Sequence, residues 1–208
     1  TDRGVIEWQL QCIRKGLGIE LNLPIFYRRC SIPLADDIDQ INNAVMEYRA
    51  DAVWIDSLGL AAGGDLNSPA SALPFFSALR TINKTPFILA HTSKGSENTD
   101  KHIFGSVFFE AAARNIWEIV KTQDDENSII VGLYHKKPPP FAKIHNPLGY
   151  KIDFTDDVTT FEYQDPKSVE ELLSRMTAST KIFEVLKDGK KTPKQLAEEL
   201  NMSDSTVR

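Results

Sequence analysis

The sequence predicts an α/β protein, an open doubly wound sheet followed by a small all-helical segment. Three observations carry that expectation. Strand and helix patterns alternate as strand, helix, strand, helix, strand from Pro24 to His91, the order of parallel strands joined by crossover helices. Residues 52–55 and 86–90 are short apolar runs without alternation, which suits strands buried on both faces under helices. Beyond Asp165-Pro166 the pattern turns helical, with a capping signature at Thr192.

Taken in order, residues 4–15 set Val5, Trp8, Cys12 and Ile13 on one side at helical spacing, and Gly16 and Gly18 end that helix. Residues 24–29 read as a strand. Asp36 and Asp37 open the next helix, where carboxylates suit the positive end of the dipole. Ile38, Ile41, Val45 and Tyr48 give that helix its apolar stripe. The run 52–55 ends at Asp56, and a glycine-rich loop follows at 59–67. Ser68 caps a helix with Pro69 at its first position. The helix continues through Leu73, Phe76 and Leu79 to Ile82, kinked or restarted at Pro74. Strand 86–90 ends at His91; a polar stretch, 92–103, then leads into a short helix at 104–113.

Residues 115–121, 128–135, 150–154 and 159–163 read as later strands, antiparallel at the sheet edge, with Pro138–Pro140 in a loop between two of them. In the helical segment, residues 179–186 form one helix, stopped by Asp188-Gly189. Thr192, Pro193 and Gln195 start a second with a Thr-x-x-Gln capping box. Asn201-Met202 makes a turn and Ser203 caps a third helix. The expected domains are 1–164 and 165–208.

Composition narrows the class. Of 208 residues, 41% are hydrophobic and 25% charged, with a formal net charge of -5. That balance is ordinary for a soluble globular chain and excludes a basic surface spread over the whole molecule. No apolar run approaches the length of a membrane span, and no signal peptide opens the chain. The chain begins at Thr1 rather than at a methionine, so the true N-terminus is expected upstream. Cys12 and Cys30 match neither a zinc nor a redox spacing and read as buried thiols of a cytoplasmic protein. His91, His102, His135 and His145 form no short metal-ligand pair.

Chemistry concentrates in three pieces. Ala52-Val53-Trp54-Ile55-Asp56-Ser57 has the Walker B pattern: a buried strand delivers a carboxylate to the carboxyl edge of the sheet, where open α/β folds bind ligands. There Asp56 can hold Mg²⁺ through its water shell. The neighbouring strand ends in His91-Thr92-Ser93-Lys94-Gly95, where a polar group can respond to a γ-phosphate. Gly105-Ser106 then leads to Ala113-Arg114. Singly, these are also what an ordinary strand end, a solvated loop histidine and a surface arginine provide.

In this order, Ile55-Asp56-Ser57-Leu58-Gly59-Leu60-Ala61, His91-Thr92-Ser93-Lys94-Gly95, Gly105-Ser106 and Ala113-Arg114 resemble the RecA-like AAA-family P-loop ATPases related to the plasmid RepA replicative helicase. The resemblance covers about residues 4–154. It implies a homohexamer that hydrolyses ATP with Mg²⁺ at subunit interfaces and works on DNA in replication or repair. It implies Asp56 at Mg²⁺, His91 as the nucleotide-state switch and Arg114 as an arginine finger reaching a neighbour's ATP. It also implies Ser57, Lys94, Gly105 and Ser106 around the nucleotide, with Lys136 or Lys137 reaching across the interface. The family's phosphate cradle, G-x-x-x-x-G-K-[ST], does not occur in this sequence. The only Gly-Lys pair is Gly189-Lys190, in the helical segment. The P-loop and the catalytic Glu are therefore expected upstream of Thr1, and this chain alone is expected to be inactive.

Residues 192–208 resemble the first two helices of a helix-turn-helix, as in winged-helix domains, whose second helix enters the major groove. The candidate DNA contacts are Lys194, Ser203, Ser205, Thr206 and Arg208. From Asp165 onward eight basic residues are matched by eight acidic ones, so charge alone does not favour DNA. The same helices also suit an interaction or dimerisation pair. Three readings stand: a DNA-associated motor, a nucleotide-sensing regulator with a helix-turn-helix, and a non-catalytic binding module.

Overall fold

The structure, a computed structural model, describes residues 3–20, 22, 24–93, 102–174 and 176–207. In chain order its elements are α1 (Arg3–Leu17), α2 (Leu34–Glu47), β1 (Ala52–Asp56), α3 (Leu58–Ala62), α4 (Pro69–Thr81), β2 (Thr85–Leu89) and α5 (Val107–Ala112). There follow β3 (Ile116–Asp124), β4 (Ser128–Lys137), β5 (Leu148–Phe154), β6 (Thr159–Gln164), a 3₁₀ turn (Pro166–Ser168), α6 (Glu170–Ser174), α7 (Ala178–Lys187), α8 (Pro193–Glu199) and α9 (Asp204–Val207). The fold is mixed α/β. It divides into two compact units, one of Pro24–Arg114 and one of Thr1–Leu23 with Asn115–Arg208. No helix among the described residues is long and apolar enough to cross a membrane.

In the Pro24–Arg114 unit, β1 and β2 pair in parallel, from Ala52 opposite Thr85 to Asp56 opposite Leu89. The crossover between them runs through α3 and α4. Ser68 caps α4 by accepting from the Ala70 amide at 3.2 Å, and the helix passes through Pro74 without restarting. The expected loop at 59–67 is helical as far as Ala62. The core gathers Leu34, Leu58, Phe75, Leu79, Ile82 and Phe109, and Val53, Ile55, Ile88 and Ala90 pack on it from the sheet. The opposite face carries Trp54, 65% exposed, and Phe87, 48% exposed. They are register partners whose rings stack at 5.5 Å. The expectation of strands buried on both faces is thus corrected: burial alternates along β1 and β2 because the helices cover one face only.

The expected strand at 24–29 is also corrected. Residues 24–29 pair with neither strand of the parallel sheet, and Ile25, Phe26 and Tyr27 remain exposed. Side chains hold the segment instead. Phe26 stacks on Tyr48 at 4.1 Å, and Arg28 donates to both carboxylate oxygens of buried Asp37 at 2.8 and 2.7 Å. Cys12 is buried as expected, whereas Cys30, next to this segment, is exposed; both are free thiols.

In the second unit, β3 to β6 form an antiparallel sheet in sequence order. These strands make a sheet of their own rather than the edge of the parallel one. Helix α1 lies on β6, and Gly16 is inside that helix instead of ending it. A Cβ at Gly16 would come 1.8 Å from the Thr159 carbonyl oxygen, so only glycine allows this approach. Trp8 Nε1 and Cys12 Sγ both point at the Asp156 carbonyl, at 3.2 and 3.6 Å.

Gly132 and Gly149 face each other across β4 and β5. Together they leave a socket for Leu172 of α6. A Cβ would meet Leu172 Cδ2 at 2.4 Å from Gly132, and Leu172 Cδ1 at 3.2 Å from Gly149. Leu172 is 0% exposed, and the Tyr134 hydroxyl donates to its carbonyl at 3.1 Å. Farther on, Thr177 caps α7 and the Thr192–Gln195 capping box is complete at α8. Helices α7 and α8 both pack against α9.

Candidate functional site

Parallel strands send their carboxyl ends the same way. β1 and β2 therefore bring Asp56 and His91, two residues past Leu89, to one edge of the sheet. Both side chains are exposed. The Asp56–Ser57 peptide is cis. Ser57 occupies the N-cap position of α3; its hydroxyl makes no cap bond, and its carbonyl accepts from the Ala61 amide at 3.1 Å.

Past His91 the chain turns back on itself. The Phe104 amide donates to the His91 carbonyl at 2.8 Å, and the Ser93 amide to the His102 carbonyl at 2.9 Å. Glu110 closes this base, accepting from the Ile103 amide at 2.7 Å and lying 3.1 Å from His102 Nδ1. Lys94 and Gly95 lie outside the described residues. Gly105 has a φ of 114°, and a Cβ there would stand 2.8 Å from the Leu66 carbonyl oxygen. Ser106 donates its amide to that oxygen at 2.7 Å, and its buried hydroxyl caps α5 by accepting from the Phe108 amide at 3.3 Å. The protein itself thus engages the amide and the hydroxyl of Ser106.

Arg114 is exposed and ends the Pro24–Arg114 unit, directly after Ala113, the C-cap of α5. Lys136 and Lys137 belong to the other unit, at the carboxyl end of β4. Lys136 Nζ is 3.6 Å from Glu118 of β3, and Lys137 is the register partner of Ile116. Sequence reasoning passed over the ring beside them. His135 is 6% exposed. Its Nδ1 accepts from the His145 amide at 2.9 Å, so the proton sits on Nε2, which donates to Asn115 Oδ1 at 2.9 Å. Trp117 stacks on it at 4.4 Å.

Of the candidate DNA contacts, Lys194 is exposed in the first turn of α8, and Ser203, Ser205 and Thr206 are exposed around α9. Ser203 Oγ shares hydrogen bonds with Ser205 at 2.9 Å and Thr206 at 2.8 Å. Arg208 lies outside the described residues.

No three His, Cys, Asp or Glu side chains among the described residues are grouped to hold a metal. Mg²⁺ needs no such cage, because it keeps its waters and takes one or two carboxylates with phosphate oxygens. Exposed Asp56, with Ser57 beside it, fits that requirement. A cradle for the phosphates themselves is not in this sequence. No protein-family model matches the chain, and no curated protein matches it.

Proposed function

We propose that this chain is the later part of a RecA-like P-loop ATPase that works on DNA as a homohexamer, its P-loop and catalytic Glu supplied by sequence before Thr1. The observation that carries the reading is Asp56 and His91 at the carboxyl tips of two adjacent parallel strands. In it, Asp56 would hold Mg²⁺ through its water shell, and the bound ion would supply charge neutralisation at the phosphoryl group. His91 responds to that group and acts on the returning chain through the Phe104 bond. Ser57, Lys94, Gly105 and Ser106 are the residues that would contact the nucleotide. Arg114 and Lys136 or Lys137 serve a neighbouring subunit's ATP. Helices α8 and α9 hold DNA through Lys194, Ser203, Ser205, Thr206 and Arg208.

The open face of the parallel sheet supports this reading. Parallel strands are normally covered by helices on both faces, and Trp54 and Phe87 offer the surface that further core units would cover. A nucleotide-sensing regulator that uses the same α8–α9 pair is the second reading. Operator-specific binding without DNA-stimulated turnover would select it.

Phosphate release decides the matter. This chain alone should release none above background, and turnover abolished by Asp56→Asn would overturn the assignment. In the protein carrying an upstream P-loop, Asp56→Ala should lower turnover by roughly a hundredfold or more. Near-normal turnover there would reduce Asp56 to an ordinary strand end.

A further inference from the structure

The helical segment is seated on the β3–β6 sheet in two different ways. Its first part is held by shape: Leu172 fills the Gly132–Gly149 socket with no room to spare. Beyond Met176 the seat is polar and centres on one carboxylate. Glu184 of α7, its side chain 12% exposed, accepts at Oε1 from Asn146 Nδ2 and from Lys187 Nζ, each at 2.5 Å. Lys167 Nζ donates to the Glu184 carbonyl at 2.8 Å and to Asp188 at 3.1 Å. A cavity of about 200 Å³ adjoins this hub, lined among others by Pro147, Tyr163 and Met176. Val185 gives α7 its buried apolar contact, and charge-assisted hydrogen bonds at Glu184 and Lys167 hold its other side.

Asn146 lies in the loop between β4 and β5. The residue before it, His145, gives its amide to the buried His135 ring. Two consecutive residues therefore bond in opposite directions, one to the carboxyl end of β4 beside Lys136 and Lys137, the other to α7.

We infer that His145-Asn146 is a latch coupling the Lys136–Lys137 end of β4 to the seating of α7 and, through the packing of α7 and α8 on α9, to the whole helix-turn-helix. The His145 ring adds to the amide bond, lying 5.9 Å from the Trp117 ring and 5.3 Å from the His135 ring, so a loop that leaves His135 gives up these contacts together with its hydrogen bond to the ring. A loop that leaves His135 also carries Asn146 away from Glu184. Coupling free energy is reciprocal, so loosening α7 must equally loosen the His145 amide from the ring. On the RecA-like reading, on which its purpose rests, this latch would carry contact with an anion at Lys136 or Lys137 to the DNA-holding helices. The coupling itself needs no nucleotide.

The test uses the whole chain without nucleotide. Asn146→Asp keeps the size of the loop residue but sets a carboxylate against Glu184. Amide hydrogen exchange in α7–α9 should quicken roughly tenfold to a hundredfold, the scale of losing a hydrogen bond to a charged group, with β3–β6 and α6 unchanged. Adding Glu184→Gln should restore slow exchange. In the same variant the ¹⁵N resonance of His135 Nδ1 should move toward that of a ring without an amide donor. His135→Phe, which keeps a ring against Trp117 but removes the acceptor, should quicken α7–α9 as well. An unmoved Nδ1 resonance in Asn146→Asp overturns the latch, even where His135→Phe disturbs the sheet. So does fast exchange confined to residues 138–147 in His135→Phe. Failure of the ATPase reading shows separately, as undiminished turnover in Asp56→Ala.

Discussion

Lys167 shows how much one side chain's surroundings settle. Burial alone would lower the pKa of its ammonium, but the hydrogen bond to Asp188 and the charges of Asp188, Asp165 and Glu184 raise it above the ordinary 10.5. A raised folded-state value means the charged form is favoured by folding. Its contribution is complete below the unfolded pKa and is lost as pH rises through the higher folded one. The seat of α7 should therefore hold through neutral and mildly alkaline pH and weaken only above about pH 10.5. Helix content and thermal midpoint, followed on either side of that pH, should fall more in the native chain than in Lys167→Met. Equal falls would remove Lys167 from the seat. Neither this hub nor the His135 ring was legible in the sequence, because their partners are distant: Asn146 and Glu184 are 38 residues apart, His135 and His145 10. The places of Asp56 and His91 at the strand ends were legible because a strand's end follows from its own apolar run.

Elements divide by the same rule. The caps at Ser68 and Thr192 are local, carried by residues within one turn, and both form as read. Residues 24–29 look like a strand by composition, but strand pairing needs a partner elsewhere, and among the described residues none takes them. The glycines of β4 and β5 are the reverse case, lying inside strand patterns for reasons supplied by distant neighbours: the Leu172 knob and, at Gly149, the Gln164 carbonyl oxygen. Leu172→Ala should cost about 2–5 kcal/mol and Gly132→Ala about 1–3 kcal/mol, measured by urea unfolding. The two together should cost clearly less than their sum, because the methyl added at Gly132 enters the space vacated by Leu172. Gly149→Ala should show no such relief, since its Cβ would lie 2.6 Å from the Gln164 carbonyl oxygen, backbone that cannot step aside. Equal relief at both glycines would mean that the socket is misread.

At the scale of the whole molecule, the α/β class follows from alternating strand and helix patterns. The division into one parallel and one antiparallel sheet does not, because periodicity shows which face of a strand is apolar and not which strand lies beside it. The same limit hid the open face of β1 and β2, whose runs are apolar throughout although helices cover one side only. That face makes a test of the larger assembly. In this chain Trp54 is 65% exposed and stacks on Phe87, so Trp54→Ala should cost only about 0.5–1.5 kcal/mol, the worth of such a pair. If the RecA-like reading is right, upstream core units cover this face in the longer protein. There Trp54 becomes a buried indole whose truncation costs about 3–5 kcal/mol. Unfolding both proteins in urea, each with and without the substitution, compares the two costs directly. The penalty should rise by roughly 2 kcal/mol or more in the longer protein, with acrylamide quenching of Trp54 falling in parallel. A small penalty in both, with Trp54 still open to the quencher, would mean that nothing completes the sheet on this side, and the RecA-like core would lose its structural support.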